Sequence, residues 1–381
     1  CTSPRHAFPH SAPFEASLLV PRTPSSTRTA PSMGCGALPL LSLFAPAWLL
    51  APLPASSAPR MHTAPPRRTP LFSCNAQERS HTPSAAGAPP ARALDADAAA
   101  LLDEAGGDVA KAKTSYIGYT LAYLETEMPE LYEGLRTDPS RPDCHAALVE
   151  LTYDAVAAFL PVTHDPTPTP AAQKKLGAIA RAGVDGSIAD ASVLDVGCGT
   201  GLLLPFLRAA GAPPRRYCGI DVSSRMIDRA KADHAAQDFA DARFEAVSLE
   251  TFAEQAAADK GQTYDVIVFN AALQFFADIK GALQLAETML SQGSSCRIVV
   301  AHLQGSAFVR QERQENPTVV LNVMPKVAEL EAIARELGLR VLVPSFLGDT
   351  PDGINEAMED FYLAVLIREK GDGTSSADEG N

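Results

Sequence analysis

No Cys-x-x-Cys pair and no metal-like spacing occurs among the seven cysteines, Cys1, Cys35, Cys74, Cys144, Cys198, Cys218 and Cys296. Scattered thiols in odd number give no sign of a disulfide framework or a metal site, and they fit a reducing compartment. Basic charge is scarce as well. The chain carries −13 overall, yet residues 1–92 hold eight Arg, no Lys and only two acids, Glu15 and Glu78. That stretch is therefore +6 and the remainder −19. A body so acidic argues against a groove that tracks phosphates, so no nucleic-acid partner is expected. The apolar run ALPLLSLFAPAWLLAPL (37–53) is broken by Pro39, Pro46 and Pro52. It falls short of the roughly 20 residues a membrane helix needs, and no stable insertion of the mature protein is expected.

What the first quarter does contain reads as an address. The same apolar run, with the small residues of PASSAPR (54–60) behind it, suits a signal-peptide core and cleavage site. Residues 60–92 are rich in Arg, Ser, Thr, Ala and Pro, which is transit-peptide composition. Signal followed by transit segment resembles the two-part plastid address of algae with secondary plastids. Plastid delivery is the expectation; a disordered, mistranslated leader on a cytoplasmic protein is the alternative. The chain opens on Cys1, and Met33 is the first available start.

From residue 93 the pattern is that of a folded chain. Helical spacing runs through 94–135 and again through HAALVELTYDAVAAFL (145–160), giving a helical cap over 93–165. PVTHDPTPTP (161–170) reads as a linker. Then apolar strands SVLDV (192–196), YCGI (217–220), RFEAV (243–247), YDVIVF (264–269) and CRIVVAHL (296–303) alternate with helices such as 223–237, 279–290 and 326–338. That order predicts an α/β fold, a doubly wound, mostly parallel sheet of seven strands over 171–368. LRVLVPSF (339–346) and EDFYLAVLI (359–367) lack a crossover helix between them and read as an antiparallel terminal hairpin, with a disordered tail over 369–381.

The chemistry concentrates in VLDVGCGTG (193–201). Gly197, Gly199 and Gly201 follow the first strand, where a doubly wound sheet binds its ligand. The spacing is G-x-G-x-G, not the dinucleotide G-x-G-x-x-G, and no P-loop Lys is present. Asp195, two residues before the first glycine, would repel a phosphate and suits a cationic ligand. Asp221 ends the second strand, where an acid accepts two ribose hydroxyls. Ribose, positive charge and no phosphate describe S-adenosylmethionine. Cys198 reads as a small side chain under the turn, not a nucleophile.

At these residues the sequence resembles the class I S-adenosylmethionine-dependent methyltransferases. VLDVGCGTG matches the first motif, GIDVSSRMIDRAK (219–231) the second region and YDVIVFNAALQFFADI (264–279) the fourth-strand motif. The resemblance implies a cofactor site of Asp195, Gly197, Cys198, Gly199, Gly201, Asp221, Val222, Met226, Ser248, Leu249 and Asn270. Tyr153, in a Tyr-Asp pair like that of many small-molecule members, would close over the cofactor. Ser248 stands where many members carry an acid that binds the adenine amine. No metal is implied.

The acceptor is expected to be a small molecule methylated at oxygen, a carboxylate or a hydroxyl. ALQFF is similar to a segment of trans-aconitate and malonyl carrier-protein methyltransferases, which esterify carboxylates, and the N-P-P-Y signature of base-amine methylation is absent. Gln274, Phe275 and Arg310 are the substrate-side candidates, and His302 the candidate base. Arg310 and Arg313, in the polar insertion 306–319, offer a clamp for an anion. Tyr116, Tyr119 and Tyr123 share helical spacing and read as core or pocket wall. A catalytically silent cofactor-binding assembly or regulatory protein is the alternative, and the missing paired acids after strand four disfavour aminopropyl transfer.

Overall fold

In the computed structural model, residues 94, 96–163, 167–184, 190–210, 214–235, 241–259, 262–293, 295–347 and 350–368 are described. The expected address in 1–92 and tail in 369–381 lie outside them. The helical spacing of 94–135 resolves into three helices, not one. These are α1 (Ala96–Glu104), α2 (Val109–Glu127) and α3 (Pro129–Thr137). The Gly106-Gly107 turn ends the first, Asp108 caps the second by accepting from the N–H groups of Ala110 and Lys111, and Pro129 opens the third.

The expected linker is shorter than its composition suggests. α4 (Pro142–Thr163) runs through Pro161, and α5 (Pro170–Gly183) begins where the linker was placed to end. Pro161 gives no N–H to the Ala157 carbonyl four residues back; Arg229 takes that carbonyl instead, its Nε donating at 2.5 Å. α4 is long and apolar enough to cross a membrane by composition, but Leu148, Leu151, Ala155 and Phe159 are buried within the cap.

The sheet follows the expected alternation. Its strands are β1 (Ser192–Val196), β2 (Arg216–Asp221), β3 (Ala242–Ala246), β4 (Val266–Asn270), β5 (Arg297–His302), β6 (Leu339–Leu342) and β7 (Tyr362–Arg368), in the order β3-β2-β1-β4-β5-β7-β6. The first five pair in parallel, and β7 lies antiparallel between β5 and β6. Connecting helices are α6 (Leu204–Ala209), α7 (Ser224–Ala235), α8 (Leu249–Ala258) and α9 (Ile279–Met289), followed by α10 (Gly305–Glu315), α11 (Val327–Glu336) and α12 (Pro351–Ala357). Every residue of β1 is buried, as a strand covered on both faces requires. The polar insertion 306–319 is mostly the helix α10, ended at the Asn316-Pro317 step.

Among the described residues three apolar clusters result, one around the sheet, one inside α1–α4 and a small one where Val156 and Ala157 of α4 meet Met226 of α7. The strand order reverses between the parallel neighbours β1 and β4, so the turns after those strands flank the crevice where ligands of such sheets bind.

Candidate functional site

The turn after β1 is built on left-handed glycines. Gly197, Gly199 and Gly201 have φ of 68°, 53° and 73°. A Cβ on Gly197 would stand 2.6 Å from that of Ala272, on the turn after β4, so the two turns meet only because the side chain is missing. At Gly199 a Cβ would meet nothing within 4 Å, which leaves that backbone open for a close approach. Cys198 is buried, its Sγ lying where a Cβ on Gly219 would come within 2.8 Å. Burial, then Asp221 and Asp195, hold its thiol well above the usual range, so its side chain packs and does not react.

Asp195 is 2% exposed. Its Oδ2 accepts from the Tyr217 hydroxyl at 2.7 Å, and its Oδ1 has no partner. Burial pushes the carboxyl up to about 7 against that hydrogen bond, which pulls it down. Asp221, at the end of β2, is held by two backbone donors: Gly199 N–H to Oδ2 and Ser223 N–H to Oδ1, both 2.9 Å. Burial lifts it to about 6. Each oxygen keeps a lone pair for a further donor. A bare buried oxygen, an aimed carboxylate and an open glycine edge fit a ligand with hydroxyls and positive charge. They do not fit a pyrophosphate.

The cap reaches this site through Asp154. That carboxylate, 1% exposed, accepts from the Ser223 hydroxyl at 2.6 Å and the Arg225 N–H at 3.2 Å, pinning α4 to the start of α7. Tyr153 is thereby set beside Asp221, and its ring stands edge-on to Phe275 at 5.4 Å and 79°. Burial raises its hydroxyl well above the usual range, with Glu312 and Asp221 adding to the rise. Glu150, on the same helix, is pushed to about 8 by burial and then by Asp154 and Asp221.

Several expected residues gather here: Asp195, the glycine turn, Asp221, Tyr153, Asn270 with its buried Oδ1 unpartnered, Gln274 and Phe275. Val222 is half-buried against the cap cluster, and Met226 packs on Val156 and Ala157. Leu249 is buried in the sheet core. Ser248 caps α8, its Oγ accepting from Thr251 N–H at 3.2 Å, so the hydroxyl is already engaged where an adenine contact was sought.

Two expectations change. Arg310 does not turn to the site; its guanidinium pairs with Glu359 at the surface, and Arg313 is exposed. Helical phase explains it, because Gly305, Val309 and Glu312 form the inward stripe of α10. His302 is 2% exposed, with its ring 5.7 Å from Phe308. Its Nδ1 accepts from Gln304 N–H at 3.3 Å, which leaves the proton on Nε2, and burial, with Lys175, lowers it to about 4. It is a neutral donor at physiological pH and a poor general base. Of the three tyrosines, Tyr116 is core, Tyr119 is 42% exposed and Tyr123 is half-buried.

Glu312 was missed. Reading 305–315 as a helix ended by Asn316-Pro317 places it inward with Val309, which was the available signal.

Residues 188–335 match the model of a methyltransferase domain. Over 102 residues the chain is 33% identical to a malonyl-[acyl-carrier protein] O-methyltransferase from Acetivibrio thermocellus, covering 26% of this chain. The chain thus spans about a third (32%) of that relative's length. Among solved structures, the N-methyltransferase NodS from Bradyrhizobium japonicum with S-adenosyl-L-homocysteine is 18% identical, TM-score 0.42, covering 58% of this chain and 99% of that one. An O-methyltransferase family protein from Burkholderia thailandensis is 16% identical, TM-score 0.43, covering 68% and 72%.

Proposed function

Residues 188–335 belong to the class I S-adenosylmethionine-dependent methyltransferase family, and on that premise we propose that the protein transfers a methyl group to an oxygen of a small molecule. The observation that carries the reading is the pair of acids at the crevice, Asp195 with one oxygen bare and Asp221 oriented by two backbone donors. S-adenosylmethionine supplies a methyl carbon on a sulfonium, an electrophile with a good leaving group. Asp221 would accept its ribose hydroxyls, and Asp195 would meet its positive charge. The turn Gly197–Gly201 would let the ligand lie against backbone, and Asn270 would offer its free oxygen. Tyr153 and Phe275 would cover the site from the cap and exclude water.

With alignment as the main task, no base is needed for a nucleophile that arrives deprotonated. Oxygen as the target rests on ALQFF and on the curated relative's methyl acceptor, and plastid delivery rests on the composition of 1–92. Single-turnover transfer from methyl-labelled S-adenosylmethionine to a panel of small acids and hydroxyl compounds tests the reading. Label in an oxygen-linked methyl group is the expected result. Cofactor binding with no transfer to any member would favour a silent binding protein.

A further inference from the structure

Two residues after Asp221 stands Ser223, which is wholly buried. Its N–H donates to Asp221 Oδ1 at 2.9 Å, so whatever holds Ser223 also aims that carboxylate. The Ser223 hydroxyl oxygen accepts from Met226 N–H at 3.1 Å, in the first turn of α7, and donates at 2.6 Å to Oδ1 of Asp154. The same Oδ1 accepts from Arg225 N–H at 3.2 Å. A single oxygen of α4, 69 residues before Ser223 in the chain, thus fixes the turn between Asp221 and α7.

Mere adhesion does not require this acid. Arg229 Nε donates to Ala157 O at 2.5 Å, one turn further along α4. The Arg225 guanidinium lies over the Tyr116 ring at 5.1 Å, and Met226 packs on Val156 and Ala157. Those contacts hold the cap to α7 without Asp154. Burial raises the Asp154 carboxyl above its ordinary range against the hydrogen bonds from Ser223 and Arg225, a cost that an apolar side chain would not incur. Its Oδ1 accepts from both donors whether or not the group is ionised. At the neighbouring position, Tyr153 stands edge-on to Phe275 of the turn after β4 and packs against the cluster of Val156, Ala157 and Met226. One turn of α4 therefore reaches Asp221 through a serine and the turn after β4 through a tyrosine.

We propose that Asp154 is a positioning residue for the cofactor: through Ser223 it aims Asp221 at the ribose, so that cofactor binding and the seating of α4 stabilise one another. The proposal rests on the cofactor reading above, and Asp154 acts on the ligand only through its neighbours.

Calorimetric titration of S-adenosylhomocysteine into the full chain, with hydrogen exchange of the α4 amides alongside, tests it. D154L should bind S-adenosylhomocysteine about tenfold more weakly, and D154N, which keeps an accepting oxygen, within about threefold of wild type. Because the effect passes through Ser223, the double variant D154L/S223A should be no more than about twofold weaker than D154L. The ligand should slow exchange across α4 in the wild type and D154N, and in D154L at the Asp221 turn alone. A merely structural residue would give additive losses and lower protection throughout the sheet. Unchanged affinity in D154L, D154N as weak as D154L, additive losses in the double variant, or α4 protection that responds to ligand equally in D154L overturns the proposal. S223A severs the same link from the α7 side. If D154L does not fold, a loss of about tenfold in S223A with an unresponsive α4 upholds the proposal, and wild-type behaviour overturns it. Failure of the wild type to bind S-adenosylhomocysteine would instead overturn the cofactor reading.

Discussion

Replacing Asp195 with Asn should stabilise the free protein at alkaline pH while weakening its hold on the cofactor. Burial raises this carboxyl from 3.8 to about 7. A folded-state pKa above the unfolded value means the folded chain binds the extra proton, so stability falls as pH climbs through that window. At about 1.4 kcal/mol per tenfold, ionising Asp195 in the fold costs at most about 4 kcal/mol once both states have lost the proton. The asparagine avoids that cost and keeps an oxygen for the Tyr217 hydroxyl. It also buries an amide on the side where Oδ1 is bare, which costs about 1–3 kcal/mol. The amide penalty does not vary with pH, so the variant should gain about 2.7 kcal/mol relative to wild type on going from about pH 5 to about pH 8. Urea melts across that range, with wild type alongside, measure it. Binding of S-adenosylmethionine should weaken about 10-fold to 100-fold, since a neutral amide no longer meets its positive charge. A pH-independent stability difference together with unchanged affinity would refute the reasoning.

Tyr217→Phe removes the 2.7 Å bond that pulls the Asp195 pKa down, so the pH midpoint for cofactor binding should move up, with about 1–2 kcal/mol lost in stability; calorimetry against pH reads it. Gly197→Ala forces a Cβ to 2.6 Å from Ala272 at φ 68° and should cost about 2–4 kcal/mol and the cofactor site; wild-type affinity in that variant would disprove the turn's part. Arg310→Ala breaks an exposed pair and should change stability by less than about 1 kcal/mol and leave the acceptor KM alone. With His302 held near 4, His302→Gln should leave the activity profile unchanged above about pH 5.

The strands, and the placing of Asp195 and Asp221 at the crevice, were legible in the sequence because their signals are local. A run such as VIVF must be covered on both faces, and an acid beside a glycine turn declares the sign of its ligand. What was not legible depends on distant partners. α4 survives Pro161 because Arg229, far along the chain, takes the Ala157 carbonyl. Ser248 also caps α8, and Arg310 pairs with Glu359. Burial of Glu150 and Glu312 comes from the cap closing on the sheet, which charge patterning along the chain does not reveal. The phase of α10 was the exception, present in Val309, Glu312 and the Asn316-Pro317 stop.

The cofactor site is tested most directly by titrating S-adenosylhomocysteine into the wild type and Asp221→Ala by calorimetry. The wild type should bind, and the variant, still folded, should lose about 2–3 kcal/mol, the worth of two hydroxyl contacts to one oriented carboxylate. Equal affinity in the two folded proteins would contradict the account.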